Sequence, residues 1–166
     1  AVYTTKDTVL TAVFTDPATG QTTTINETFY IISDGADGID AITVINTNQS
    51  HTVPANADGT LESGALTNSG TTIQIFEGAN ELDFTTGTAG DGEYTITVSN
   101  TGTATLGGIT GNGTDTATVG DATAMSTDQV VITYTISGKR LSGQVFTSET
   151  IQTLTKSKAG TDGTNG

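Results

Sequence analysis

His51 is the only histidine in the chain, and there is no cysteine. A transition-metal site needs several nitrogen or sulfur ligands, and a thiol nucleophile needs a cysteine beside a base. Both chemistries lack their parts, and His51 is expected on the surface or at a strand edge. Carboxylates are plentiful, with 18 Asp and Glu. Two acids flanking a glycosidic bond are the equipment of a glycosidase, and Asp91 with Glu93 or Glu77 with Glu81 are the candidate pairs. Any acidic chain offers such pairs by composition. With no Trp and 5% aromatics, there is little to stack a sugar ring or wall a pocket. No catalytic residue is assigned, and the chain is expected not to be an enzyme.

Acidic loops also suit calcium, which takes oxygen ligands from Asp, Asn and backbone carbonyls. Asp34, Asp37 and Asp40 recur every third residue, and Asn112, Asp115 and Asp121 fall in one Thr/Gly-rich region. Neither set has the ligand spacing of an EF-hand loop. Solvated loop carboxylates are the expectation, with an incidental calcium ion as the alternative; no cofactor or metal ligand is assigned. Asn26, Asn48 and Asn112 begin Asn-X-Ser/Thr sequons. A Thr-rich chain carries about that many by chance.

The elements that must position these residues are strands. Apolar residues alternate with polar ones in Ile132, Tyr134 and Ile136 against Thr133 and Thr135. Tyr94, Ile96 and Val98 do the same, as do Thr71, Ile73 and Ile75, and Leu10, Ala12 and Phe14. Period-two alternation is the mark of a half-buried strand. No window holds a sustained helical stripe, although 58–64, 78–83 and 120–128 have room for a helical turn. Residues 99–120 read as a short strand pair between long loops. Asp16-Pro17-Ala18-Thr19-Gly20 reads as a hairpin loop, because Pro fixes an early φ and Gly accepts a late positive one. Ser137-Gly138-Lys139-Arg140 reads as a second. The aromatic residues fall mostly in strand-like segments and are expected in the core. Phe29 and Tyr30 are adjacent, so they point to opposite faces of a strand, a hint of an interdomain or intersubunit contact.

Apolar residues make up 33% of the 166-residue chain, which predicts a thin core. The net charge is -13, and such a surface repels nucleic acid and anionic lipid. No nucleic-acid partner and no membrane insertion is expected. Without cysteine no disulfide framework exists, which leans toward a bacterial or viral source. The chain starts at Ala1 with Met125 as its only methionine, so a fragment or processed product is expected.

An internal repeat organises the sequence. Residues 8–28 run TVLTAVFTDPATGQTTTINET, and 129–150 run QVVITYTISGKRLSGQVFTSET. Both read as two strands around a turn, and both end in Glu-Thr. With Val9 matched to Val130 and Glu27 to Glu149, the spacings differ by one residue, absorbed in the turn. Each hairpin leads to glycines three apart: Gly35 and Gly38 in the first tail, Gly160, Gly163 and Gly166 in the second. The parse is a closing hairpin of a preceding unit at 1–33, a Gly-rich joint at 34–40, a complete β-sandwich unit at 41–158, and a Gly-X-Y start at 159–166. A triple helix needs Gly at every third position, because only hydrogen fits at its axis. The first joint reads as a flexible polar linker. The second reads equally as a linker or as the start of a collagen-like stretch, which would make the protein a homotrimer.

The run from Gly35 to Ala55, GADGIDAITVINTNQSHTVPA, resembles the start of a repeated domain in bacteriophage tail-fibre and host-specificity proteins. The pieces Ile75–Ala79, Val131–Tyr134 and Lys156–Gly160 follow in that family's order, so the resemblance covers 35–166, and 1–34 match the end of a preceding copy. It implies a β-sandwich module between collagen-like joints in an extracellular virion tail appendage, with no catalytic residues. The fold expected is all-β, an immunoglobulin-like antiparallel sandwich with an extra N-terminal hairpin. The function expected is structural: spacing or displaying the parts of a tail fibre that attach to the host. Its partners are neighbouring repeats of the same fibre and a host surface glycan or protein, with avidity from multivalent display. A carbohydrate-binding or adhesive module of a bacterial surface protein is the alternative. A polysaccharide-cleaving tail spike is a third reading, and it needs a working acidic pair.

Overall fold

The computed structural model describes residues 5–32 and 39–160, and the side chains of 11–22, 24 and 39–160. Among the described residues there is no helix. By compactness the chain divides into two units, Ala1–Ile39 and Asp40–Gly166.

The smaller unit is a hairpin. β1 (Thr5–Thr15) pairs antiparallel with β2 (Thr22–Ile32), from Thr5 opposite Ile32 to Thr15 opposite Thr22. Its turn is built as the sequence expects. The Asp16 carboxylate accepts from the Ala18 N–H (2.8 Å) and the Thr19 hydroxyl (2.6 Å), which lowers its pKa. Gly20 takes a φ of 72°, which a side chain would resist.

The larger unit is a multi-strand β fold of two layers. Its elements are β3 (Ile42–Asn46), β4 (Ser50–Ala55), β5 (Thr71–Glu77), β6 (Asn80–Phe84), β7 (Glu93–Thr101), β8 (Ala104–Thr105), β9 (Ile109–Thr110), β10 (Thr116–Val119), β11 (Ala124–Met125), β12 (Gln129–Lys139) and β13 (Val145–Lys158). One layer has β3, β10 and β6 around β5, with β9 outside β10. The other runs β4-β13-β12-β7. The end of β6 joins the layers, where Asp83 and Phe84 pair with Glu93 and Tyr94 of β7. The first segment changes layer: β3 pairs antiparallel with β5, and β4 then pairs in parallel with β13. β8 and β11 form a small separate pair.

The core lies between the layers. Ile73 and Ile75 of β5, Leu82 and Phe84 of β6, and Ala117 and Val119 of β10 come from one side. Val53, Leu154, Val130, Ile132, Tyr134, Ile136 and Tyr94 come from the other. In β5 and β12 the inward residues are the alternating ones that the sequence marks.

A buried polar chain crosses this core. The Tyr134 hydroxyl donates to Gln152 Oε1 (2.8 Å), and Gln152 Nε2 donates to the Ser69 carbonyl (2.9 Å). The Ser69 hydroxyl oxygen accepts from the Ala122 N–H (2.9 Å). Among the described residues no buried side-chain polar atom lacks a partner.

Three local expectations are corrected. Ser137-Gly138-Lys139-Arg140 is not the second hairpin turn: β12 continues to Lys139, and the turn is Arg140–Gln144, closed by Arg140 N to Gln144 O at 2.8 Å. Gly143, with φ of 81°, is the turn glycine. Gly138 sits inside the strand because the Phe146 ring lies where its Cβ would be, 2.8 Å away. Residues 78–83 form no helical turn. A tight turn at Gly78 leads into β6, where Leu82 and Phe84 point inward. Residues 120–128 contain β11.

The repeat holds at the level of the hairpin. In both hairpins a positive-φ glycine followed by Gln closes the turn, Gly20-Gln21 and Gly143-Gln144. The residue matching does not hold. Glu27 pairs with Leu10, whereas Glu149 pairs with Thr135, so Val9 and Val130 stand at different distances from their turns.

Candidate functional site

The sequence-marked acids are drawn into separate tasks. Glu77 and Glu81 flank the same tight turn of the β5–β6 hairpin, but Glu77 is buried and Glu81 is exposed. Glu77 points inward, and its Oε1 is 3.1 Å from Arg140 Nη1 while its Oε2 accepts from the Leu141 N–H at 2.8 Å. Glu81 instead meets Asp115, and that hydrogen bond, with some burial and repulsion, raises the Glu81 pKa. Glu93 accepts from the Gly90 N–H (2.7 Å) and holds its own turn, while Asp91 lies beside Gly143.

The calcium sets do not assemble among the described residues. Asn112 Oδ1 accepts from the Thr86 N–H (2.7 Å) and hydroxyl (2.9 Å). Asp115 is beside Glu81. Asp121 accepts from the Asn68 N–H (3.0 Å) and the Gly70 N–H (2.7 Å). The three sit in three places, and no group of three or more His, Cys, Asp or Glu converges among the described residues. Asp34 and Asp37 lie outside the described residues.

His51 is half-buried on β4 beside a shallow depression of about 240 Å³ that Glu62 and Thr67 also line. Of the sequon residues, Asn48 donates from its amide to the carbonyls of Asn68 (3.1 Å) and Gly70 (2.8 Å). The Asn26 side chain lies outside the described residues. Of the aromatics, Tyr94, Tyr134 and Phe84 are buried, and Phe14 is 60% exposed. The side chains of Phe29 and Tyr30 lie outside the described residues.

The most ordered arrangement is at the two poles of the larger unit. The chain comes in beside the β12–β13 turn: Arg140 Nη1 donates to the Asp40 carbonyl (2.6 Å), and the Gly78 N–H donates to the Ala41 carbonyl (3.0 Å). It leaves at the other end of β13, where the Ala159 N–H donates to the Ala55 carbonyl (2.8 Å). There Lys156 Nζ donates to the carbonyls of Gly59 (2.8 Å) and Ser126 (3.0 Å), and Lys158 Nζ meets Asp128 at 2.7 Å. The two poles are about 40 Å apart, taking about 3.3 Å per residue along β13. Four of the five basic residues, Lys139, Arg140, Lys156 and Lys158, lie at these poles.

Sequence reasoning missed this arrangement, although one signal was present. Arg140 is the only arginine in a chain with 18 carboxylates, and its bidentate fork suits a buried carboxylate such as Glu77 better than a lysine does. Of the glycines marked as joints, Gly160 is exposed with open space around it. Gly35, Gly38, Gly163 and Gly166 lie outside the described residues. Among the described residues no helix is long and apolar enough to cross a membrane. Comparisons with protein families, with curated proteins and with solved structures find nothing that matches this chain.

Proposed function

We propose that the chain is a non-enzymatic structural repeat of an extracellular fibre, a module that spaces or displays the host-binding parts of a phage tail. The observation that carries this reading is the polar placement of the two chain ends of the larger unit. A module whose chain comes in at one pole and leaves at the other extends a tandem array without folding it back. Basic side chains tie both ends to the body of the unit, so the direction of the chain is fixed on each side.

Two further features support it. Setting aside β6, which bridges the layers, the strand order supports an immunoglobulin-like reading, in which first, second, fifth and fourth strands form one layer and third, sixth and seventh the other. Here β3-β5-β10-β9 form the first layer and β7-β12-β13 the second, with β4 as the first strand's continuation. The likeness of the β1–β2 hairpin to β12–β13 supports reading the smaller unit as the close of a preceding repeat. With the resemblance of residues 35–166 to tail-fibre repeats, this makes Gly35 and Gly38, and Gly160, Gly163 and Gly166, the joints between beads. Collagen-like pairing at the second joint makes the assembly a homotrimer.

The test is the mass in solution by light scattering, for this chain and for a form extended by several more native Gly-X-Y triplets. A monomer that becomes a trimer on extension supports the fibre. Two monomers make the joints plain linkers and turn the question to glycan affinity, which the adhesive-module alternative requires.

A further inference from the structure

We propose that the parallel pairing of β4 with β13 is a mechanical clamp that lets the larger unit bear tension applied along the chain. The inference rests on the tandem reading for its biological use, but its physical basis is the register alone. β3 and β4 run from the near pole to the far pole, and β13 runs beside them in the same direction. Asn46 of β3 donates from its amide to the Thr150 hydroxyl (3.3 Å) and the Ile151 carbonyl (3.2 Å), and Ser50–Ala55 of β4 then pair with Thr153–Lys158.

Tension on such a chain pulls the leading end out past the near pole and the trailing end out past the far pole. β4 is drawn one way and β13 the other, along their common axis. Inter-strand hydrogen bonds lie across that axis, so every bond of the ladder is strained together and none can open first. A pair pulled apart from one end opens its bonds one at a time and yields at low force. The first strand therefore meets the last in the one geometry that resists end-to-end pulling.

The ladder's parity identifies the residues that carry it. The Thr153 N–H donates to the Gln49 carbonyl (2.9 Å) and the Ala159 N–H to the Ala55 carbonyl (2.8 Å). Backbone groups of alternate residues face the same neighbour, so His51 and Val53 also face β13. Thr52 and Pro54 face away, and the Pro54 carbonyl accepts from the Glu62 N–H (3.2 Å). A proline inside a paired strand is tolerated only where no ladder donor is lost, and Pro54 meets that condition. The far end is pinned further by Lys156 and Lys158 through Gly59, Ser126 and Asp128.

The experiment is single-molecule stretching of the full chain held between marker domains at its two ends. Opening of the larger unit releases roughly 40 nm of chain, at about 3.5 Å per residue, which distinguishes it from the hairpin. His51→Pro removes one ladder N–H, and Thr52→Pro carries a similar backbone restriction with its donor on the other side. The expected result is a rupture force lower by roughly a third or more in His51→Pro, from the lost bond and the displaced strand, and little changed in Thr52→Pro. A second measurement leaves the ladder intact. With Asn56→Cys and Gly160→Cys as attachment points, the same pair is pulled from one end, and the expected force is roughly half or less of the end-to-end value, since bonds then break singly. Equal forces in the two directions, or an end-to-end force unmoved by His51→Pro, overturn the clamp. Either result leaves the tandem-repeat reading to the trimer measurement.

Discussion

The Tyr94 hydroxyl donates to the Ile73 carbonyl at 2.9 Å, so a side chain of β7 reaches across the core and is anchored on the backbone of β5. It is a direct polar tie between the two layers. The ring itself packs on Phe84 with centroids 5.6 Å apart. Tyr94→Phe keeps the ring and removes the tie. The expected loss is about 1 kcal/mol, the usual net worth of such a bond. In urea the midpoint falls while the slope holds, because the exposed surface is unchanged. Unaltered stability would mean that the Tyr94 hydroxyl adds nothing net to the hold between the layers.

Tyr94 and Tyr134 also set an alkaline limit. Burial pushes both hydroxyls up to about 12, and the nearby Asp115, Asp83 and Glu81 push Tyr94 the same way. An unfolded tyrosine ionises near 10. Between about 10 and 12 the unfolded chain has lost protons that the folded one keeps, so stability falls as pH rises through that window. Below about pH 10 the contribution is complete. Tyrosinate absorbance and the loss of β circular dichroism should therefore rise together near the upper end of the window. The double variant Tyr94→Phe, Tyr134→Phe should unfold less steeply with pH there.

The strand faces were legible in the sequence because alternation is a local signal. Thr71, Ile73, Ile75 and Glu77 point inward in turn, and Ile132, Tyr134 and Ile136 do so on β12. The second hairpin turn was not legible, because Gly138 and Gly143 are both glycines near a polar cluster. Only the tertiary fold separates one that makes room for a ring from one that takes a positive φ. β6 was missed because five residues holding Glu81 and Asp83 offer too short an alternation. The roles of Asp121 and Asn48 had no local signal. Asp121 clips the loop at Asn68 and Gly70, which are 53 and 51 residues away in the chain. The candidate acids were visible, but their grouping was not, since partners such as Glu77 and Arg140 are 63 residues apart.

The Glu77–Arg140 pair is largely buried, with side-chain exposures of 10% and 14%. Among the described residues, Arg140→Met leaves the Glu77 carboxylate with the Leu141 N–H as its one remaining hydrogen-bond donor. The expected cost is about 3 kcal/mol, because a buried charge without its partner is far worse than no charge. The double variant Glu77→Leu, Arg140→Met should recover much of that loss, and a thermal or urea comparison of the variants measures the coupling. A single-variant cost well under 1 kcal/mol would mean that water reaches the pair and replaces the guanidinium.

Glu81 and Asp115 make a smaller electrostatic prediction on an open face. Their shared hydrogen bond holds a proton on Glu81 to higher pH than usual. The folded state then binds that proton more tightly than the unfolded chain, so the pair favours folding at low pH and loses that advantage as pH rises through the raised value. Carboxyl-carbon NMR should place the Glu81 midpoint above the ordinary glutamate range. Asp115→Asn should bring it down by removing the like charge. A Glu81 midpoint indifferent to Asp115→Asn would show that the two side chains do not share the proton in solution.

Gly138 gives the sharpest steric test. It lies within β12 at a conformation open to any residue, so backbone strain is not at issue there. Space is at issue: a Cβ would come 2.6 Å from the Glu93 carbonyl oxygen and 2.8 Å from the Phe146 ring. Phe146 packs on the core, so the ring cannot swing away without opening a gap. The Glu93 carbonyl belongs to β7, which is paired to β12 at this point through Tyr94. Gly138→Ala must therefore displace either the ring or the strand, and the expected loss is about 1–3 kcal/mol, in the range of core overpacking. Gly108→Ala is the matched control, since nothing stands within 4 Å of its Cβ. It should leave the urea midpoint nearly unchanged. If Gly138→Ala also leaves it unchanged, Phe146 has a second seat on the core, and the glycine is not what positions the β12–β13 hairpin.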